Sequence, residues 1–599
     1  MKSKKMLAVT ALTCMSVALP VYAQTLGSAL TTTKEHLLNA DSTPQNWLMY
    51  NGNYSNWHYS SLDQINKSNV KGLRVVYQAA IGGCTTMTTA GASCNEMAVP
   101  LAENGILYLT DQHNKVMAFD VTSGDRAYPL WRFDPEVQKV DRTRGIAMYG
   151  DNIIQATADA RIIAIDKTSG EMVWEAGNQE VVDQPNSAEA IATRALTGVP
   201  NTYPTAGGKQ IITTGMRGAG IGSMAAYDAE DEGKLLWRTH TIPQPGEANF
   251  GTWPGDKWKW GAAMPWGATP GFDPESNTLF FGTGEPSPVY DPEYRPGDNL
   301  YSISTLALDA DTGKMKWYFQ EVPNDQWDFD STSSRILHEV SVDGQMRKVI
   351  SNWARSGFVM TLDRTTGEFI SAVPQTDNIN WTAGYDEKTG KPLEYVSGGG
   401  LQNYLTPGAR RGRSAEDAPL VCSTWGGSPT GIWSASYDPT SGMTYQTRTE
   451  GCTKQTITTT TDEAYAPLKR EGLGSVVKQI QFDTKAALVQ VSTKSAERVN
   501  RYIRDLGIPG DRQAEVGALA TGGGLVFTAF DDGSVSVFDK DTLEELWRFN
   551  HGTSIKGSMM SFAVNGKQYV AHVIGGDNAG SSGISALNLP TAMLVVYGL

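Results

Sequence analysis

Three carboxylates crowd one short run of this 599-residue chain, Asp325-Gln326-Trp327-Asp328-Phe329-Asp330. Asp328 and Asp330 are two apart, so on an extended strand their side chains share one face. Two carboxylates held that close either share a proton or bind a cation. Solvated loop acids are the plain alternative for an isolated Asp-x-Asp pair. Here the acids close a longer stretch, Arg295 to Asp330, that joins them to a repeated structural unit.

That unit is Ala307 to Trp317, ALDADTGKMKW, in which alternating apolar residues enter an Asp-rich, Gly-containing turn and leave on an aromatic. It reads as strand, tight turn, strand. The same theme runs from Ala118 to Trp131, Ala164 to Trp174, Ala226 to Trp237, Thr361 to Ile370, Ser436 to Tyr445 and Val537 to Trp547, with weaker relatives at Gly271 and Gln481. Repeats spaced about 40 to 70 residues apart, each worth a few strands, predict propeller blades and not a helical solenoid. Seven to nine units can be counted, which makes an all-β, eight-bladed β-propeller the expectation. Glycine permits the positive φ of the turn, and a tryptophan at a fixed place in each repeat can dock one blade on the next. The one stretch that reads as an amphipathic helix is Lys494 to Asp505.

Composition bounds the partners. The net charge of -14, without a basic stretch, argues against nucleic acid. Residues 1–23 carry early lysines, an apolar run from Met6 to Leu19 and Val21-Tyr22-Ala23 before Gln24, the pattern of a cleaved secretory signal. That run is too short for a membrane span, and no later one qualifies. Residues 24–599 are expected to form a single exported propeller domain. Four cysteines follow the signal, and in an oxidising compartment Cys84 with Cys94 and Cys422 with Cys452 suggest two local disulfides. Neither CxxC nor CxxCH occurs, so neither a zinc ribbon nor covalent haem is indicated. The segment up to about Val70 reads as a polar lead-in that wraps the body. Two Gly- and Pro-rich inserts, Pro243 to Thr269 and Pro374 to Ser434, interrupt the rhythm, as functional loops in a rigid body do.

Other candidates carry less. Gly218 to Gly222 follows no βαβ pattern, the seven histidines show no ligand spacing, and Ser423 to Gly427 lacks a nucleophile elbow. The tryptophans of the turns read as packing. Trp266, in MPWGA, lies outside the repeats.

Taken together, RPGDNLYSISTLALDADTGKMKW, the following WDFD and GALATGGGLVF (Gly517 to Phe527) resemble the quinoprotein alcohol dehydrogenases of the methanol and ethanol dehydrogenase type. The resemblance runs from about Asn46 to the C-terminus. It implies an eight-bladed propeller in the periplasm that holds pyrroloquinoline quinone (PQQ) and a cation, Ca²⁺ or a lanthanide, on its axis. The implied activity is oxidation of a primary or secondary alcohol to an aldehyde or ketone, with a separate cytochrome c as electron acceptor. A homodimer stays open. By the same resemblance Asp328 stands at the catalytic base, Arg355 beside the quinone oxygens and Arg144 at a PQQ contact. Thr157, Thr197, Thr214 and Gly215 match further cofactor contacts, and Trp266 matches the floor under the planar ring. Asp330 resembles the extra acid of the lanthanide-using branch. The residue types suit the task, because a planar polyanionic quinone needs an aromatic surface, arginine donors, a Lewis acid and a base for the alcohol proton.

The chain also departs from that pattern. Adjacent cysteines are missing before Arg144, where VQKVDRT stands. The family's metal-binding Glu falls on Arg217 and its metal-binding Asn on Glu285. Glu515 replaces a tryptophan, Ile432-Trp433 replaces an Asn-Trp pair, and Glu96 is offset by one from an acidic cofactor contact. Two readings of the metal positions remain. Glu285, Asp328 and Asp330 form an oxygen-only cation site, or Arg217 stands in for the cation. The first is preferred, because three clustered carboxylates repel and one arginine neutralises only part of that charge. The missing cysteines widen the entrance and point to a bulky alcohol. Two other functions are kept: a non-catalytic periplasmic propeller used as a binding or assembly scaffold, and a PQQ-dependent sugar or polyol dehydrogenase.

Overall fold

The computed structural model describes residues 31–83, 94–137, 143–177, 195–217, 221–408, 416–422, 434–457, 477–507, 514, 516–553, 555–577 and 591–599. Among them the repeats fold into eight antiparallel sheets of four or five strands each, the seventh edged by one short parallel strand (Tyr59–Ser60), and one small two-stranded sheet. The chain is a β-propeller.

The first seven sheets each carry one of the seven full sequence repeats, and the eighth carries none of them. In the first, Leu101–Glu103, Ile106–Thr110, Val116–Asp120 and Tyr128–Phe133 pair in that order. Its first two strands are wholly buried and its last is largely exposed, so the sheet runs from axis to rim. The aspartate that ends the third strand accepts backbone N–H groups of the turn, as Asp166 does from Thr168 and Ser169 and Asp363 from Thr365 and Thr366. This is why the acid recurs in every repeat: it satisfies turn donors that the ladder leaves over.

The repeated indoles reach the following sheet. Trp131, Trp237 and Trp317 donate Nε1–H to the carbonyls of Lys167, Ala310 and Arg364, and each lies over the turn glycine next along, Gly170, Gly313 and Gly367.

The last sheet joins the chain's two ends. Its order from the axis is Met560–Val564, Lys567–Ile574, Thr591–Gly598 and then Arg74–Gly83, so an early strand supplies the rim of a sheet otherwise made by the C-terminus. The polar lead-in does more than wrap. Within Gln45 to Ser60 its backbone is bonded to Ala102, Phe272, Leu337, Tyr437, Gly522 and Ala563, which belong to or flank six different sheets. A run that short can reach so many sheets only by crossing one mouth of the ring.

Two expectations are corrected. Lys494 to Asp505 is no helix: Glu497–Arg504 is the outer strand of the sixth sheet, paired with residues 486–492. Its arginines at 498, 501 and 504 mimic a helical face, but the ladder wins, and they pair with Asp377, Glu450 and Asp532. Asp328 and Asp330 do not lie on an extended strand either. They sit in irregular backbone where Asp328 has φ +71°. Cys422 and Cys452 form a disulfide between paired strands. Cys84 lies outside the described residues, as do the N-terminal signal expected at residues 1–23, Glu515 and Ile432-Trp433.

Candidate functional site

The acidic run is shaped by alternation of another kind. Trp327 and Phe329 are fully buried, stack at 4.9 Å between ring centroids, and pack on Trp381 and Tyr404. The intervening aspartates are thereby turned away from this aromatic core. Asp325 caps the turn: its carboxylate accepts the backbone N–H groups of Trp327, Asp328 and Phe329 at 3.0 to 3.2 Å. The left-handed conformation of Asp328 costs on the order of 1–3 kcal/mol for a non-glycine residue, and these bonds offset it. Burial, ahead of the opposing pull of Arg295, pushes Asp325 up to about 6.

Three acids then converge from two loops. Glu285 follows the strand Thr278–Gly282, and one carboxylate oxygen each from Glu285, Asp328 and Asp330 lies within 4.8 Å of the others. Asp330 Oδ1 accepts the backbone N–H of Glu285 at 2.9 Å and the Trp266 indole N–H at 3.4 Å. Arg355, in the turn after the strand Gln345–Trp353, donates Nη1–H to Asp330 Oδ2 at 2.6 Å and to Asp328 Oδ1 at 3.3 Å. Tyr290 donates its hydroxyl to Asp328 Oδ2 at 3.1 Å.

Electrostatics follow from this crowding. Burial first, and then the negative charge of Asp330, hold Asp328 well above the ordinary carboxylate range, although Arg355 pulls the other way. Glu285 keeps some exposure, yet lost hydration followed by repulsion from Asp330 and Asp328 raises it as well. Three oxygen donors with excess negative charge and a partly open side make a site for a hard cation. The oxygen separations suit an ion with ligands at roughly 2.3–2.6 Å.

Beside the acids lies a flat aromatic surface. Trp266 is buried with Met97, Ala262 and Met264, and the guanidinium carbons of Arg144 and Arg355 stand 4.9 and 5.7 Å from its ring centroid. Arg144 also donates to the Thr197 carbonyl at 2.8 Å. Thr197 Oγ1 is buried and has no partner among the described residues, and the same holds for Glu96 Oε2. Burial, and then Asp111, raise Glu96 well above its usual range.

The remaining candidates are placed differently. Thr214 donates to the Gly198 carbonyl at 3.1 Å, and Gly215 lies so near the Pro265 carbonyl that a Cβ there would come within 1.7 Å of its oxygen. Gly215 therefore lets the segment carrying Trp266 pack on the third sheet. The Thr157 hydroxyl is committed to its own turn, bonding Asp159 and the Arg161 carbonyl. The Arg217 side chain lies outside the described residues. Tyr290 and Arg295 join the site through residues far along the chain, Asp328 and the Asp325 carbonyl, which the sequence does not signal; Arg295 is marked only by its place at the head of RPGDN.

Comparison with known proteins covers nearly the whole chain. The PQQ family described as glucose/ethanol/alcohol dehydrogenase, beta-propeller domain, matches residues 47–379 and 423–570. The quinoprotein alcohol dehydrogenase PedH of Pseudomonas putida is 31% identical over 568 residues, 90% of this chain and 88% of that protein. The lanthanide-dependent methanol dehydrogenase of Methylorubrum extorquens is 29% identical, over 94% of this chain and 92% of its own. Among solved structures, the quinohemoprotein alcohol dehydrogenase ADHIIG of Pseudomonas putida HK5 superposes with a TM-score of 0.78 at 25% identity, covering 96% of this chain and 83% of that one.

Proposed function

Because the chain belongs to the PQQ-dependent glucose/ethanol/alcohol dehydrogenase family of β-propellers, we propose that the cluster around Asp328 is where it oxidises an alcohol to an aldehyde or ketone. The observation that carries this reading is the junction of two chemistries in one place. Asp330 bonds both the indole of Trp266 and the guanidinium of Arg355, so the aromatic surface and the acid cluster share a wall.

The residues present fit both groups that the family uses. Trp266 with Arg144 and Arg355 offers a planar polyanion a stacking face between cations. The unpartnered Thr197 Oγ1 and Glu96 Oε2 are polar atoms left over for it. Thr214 and Gly215 support it by shaping the wall. Glu285, Asp328 and Asp330 would hold the Ca²⁺ or lanthanide ion. When bound, PQQ supplies a two-electron acceptor and the cation a Lewis acid.

The chain's own part is proton and charge management. Asp328 takes the alcohol proton on a carboxylate oxygen as the carbon–hydrogen bond breaks. Its low-dielectric setting makes it a stronger base than a solvated aspartate, and Arg355 steadies it and the negative charge that develops beside it. Asp330, tied to Trp266 and Glu285, keeps cofactor surface and cation site in register.

The family and its relatives are dehydrogenases, so the scaffold reading is set aside. Among the described residues no helix is long and apolar enough to cross a membrane. A periplasmic location, after removal of residues 1–23, and electron transfer to a cytochrome c complete the proposal; the haem carried by the quinohemoprotein relative supports a haem acceptor.

The test is Asp328→Asn in protein loaded with PQQ and either Ca²⁺ or La³⁺. Dye-linked alcohol oxidation should vanish while bound quinone is still seen by absorbance. Undiminished turnover would remove Asp328 from the role of base.

A further inference from the structure

We propose that Tyr290 is a positioning residue that fixes the orientation of the Asp328 carboxylate, an inference that rests on Asp328 being the base. Each oxygen of Asp328 has its own partner: Oδ1 accepts from Arg355 Nη1 at 3.3 Å and Oδ2 from the Tyr290 hydroxyl at 3.1 Å. A carboxylate has roughly four lone-pair sites, two on each oxygen. With one taken on each oxygen, rotation about the Cβ–Cγ bond is blocked, and one site per oxygen is left. The alcohol hydroxyl then meets a carboxylate with a single orientation.

The hydrogen bond is built from both ends. Arg295 is fully buried and donates to the carbonyls of Pro288 and Val289, immediately before Tyr290, at 2.9 and 2.8 Å. The same guanidinium donates to the Asp325 carbonyl at 2.5 Å and to Asn299 Oδ1 at 2.8 Å. Asp325 in turn holds the Asp328 backbone N–H through Oδ2 at 3.0 Å. One rigid, planar cation therefore anchors the residue preceding the phenol and the residue that caps the turn of its acceptor. An ordinary core tyrosine needs a single acceptor; this one is clamped on the same side chain that fixes the acid it serves.

The consequence is kinetic. A base displaced by about 1 Å can lose on the order of 100-fold in rate while substrate still binds. Replacing the phenol by Tyr290→Phe removes the hydroxyl and keeps the ring. In full-length protein loaded with PQQ and Ca²⁺ or La³⁺, we expect kcat for a primary alcohol to fall about tenfold or more, with KM within about twofold of the parent. Quinone retention, read by absorbance, and cation affinity, read by calorimetry on the quinone-free protein, should match the parent. Tyr294→Phe, on the same loop but lying over Lys257, should leave kcat unchanged. Unchanged kcat in Tyr290→Phe, or a loss of quinone or cation affinity that accounts for the fall, would overturn the proposal. A parent protein without PQQ-dependent alcohol oxidation would take down the assignment of Asp328, and this one with it.

Discussion

Asp330 accepts the backbone N–H of Glu285 at 2.9 Å across 45 residues of sequence. The bond ties a loop between two strands of the fourth sheet to the connection that leads into the fifth, and it brings a third carboxyl into reach of the other two. Without it the acids at 285 and 328 belong to independent loops. Asp330 is thus the strut that assembles the acid cluster, and in the function proposed above it is a cation ligand as well.

An Asp330→Asn substitution separates these two parts. The amide oxygen can still accept from Glu285, so the loops stay joined, but the charge that faces the cation and Arg355 is gone. The affinity of the quinone-free protein for La³⁺, measured by calorimetry, should fall at least about tenfold. Undiminished affinity, with unchanged circular dichroism, would exclude Asp330 from the cation site.

Cation binding should also depend on pH in a defined direction. Asp328 and Glu285 are both pushed up, by burial first and by Asp330 next, so each retains a proton at pH values where a solvated acid has lost it. Ligation requires the ionised form, so binding must expel those protons. Affinity should therefore rise as pH rises toward and through the raised values, and then level off. Calorimetry in two buffers with different ionisation heats counts the protons directly. A count of zero, or affinity that falls with pH, contradicts the assignment.

How much of this could be read beforehand depends on the range of the interaction. The repeat was legible because turn chemistry is local: the pairing of Asp309 with the Trp317 that follows it has counterparts at Asp120 and Trp131, Asp166 and Trp174, Asp228 and Trp237, and Asp539 and Trp547, and the hairpin it predicts is the one observed. The acids of the WDFD run were legible as a cluster, but the strand assumed for them was not correct. Trp327 and Phe329 are drawn into an aromatic core contributed by Trp381 and Tyr404, and Asp325 bends the backbone to allow it. Tyr290 and Arg295 were invisible as site residues, since their partners at 328 and 325 are 38 and 30 residues away with no periodicity to signal the contact. The helix expected at Lys494 to Asp505 failed for the same reason: its arginine spacing is local, whereas the sheet edge that claims it is not.

The indoles offer a test of the ring itself. Trp237 donates to the Ala310 carbonyl at 3.0 Å and covers Gly313 of the next sheet. Trp237→Ala should cost about 3–5 kcal/mol in stability, as large-to-small changes at buried aromatic sites do. Denaturant unfolding measures it, and a change below about 1 kcal/mol would mean that the sheet-to-sheet contact contributes little. The indole bonds none of Glu285, Asp328 and Asp330, so cation affinity under native conditions should be unaffected.

Gly284 sits against both the proposed cofactor surface and the proposed cation site. A Cβ there would lie 2.6 Å from Asp330 Oδ1 and 2.8 Å from Trp266 Nε1, and both of those groups are buried. Neither can retreat without disturbing the other, because they are bonded to one another at 3.4 Å. Gly284→Ala should therefore weaken PQQ and cation binding together, each by about tenfold or more, since a shift of some tenths of an ångström is imposed on a ligand and on the stacking face at once. Quinone titration followed by tryptophan fluorescence, alongside La³⁺ calorimetry, tests the pairing. If only one affinity moved, the shared wall between Trp266 and Asp330 would not be the element that holds the two sites in register.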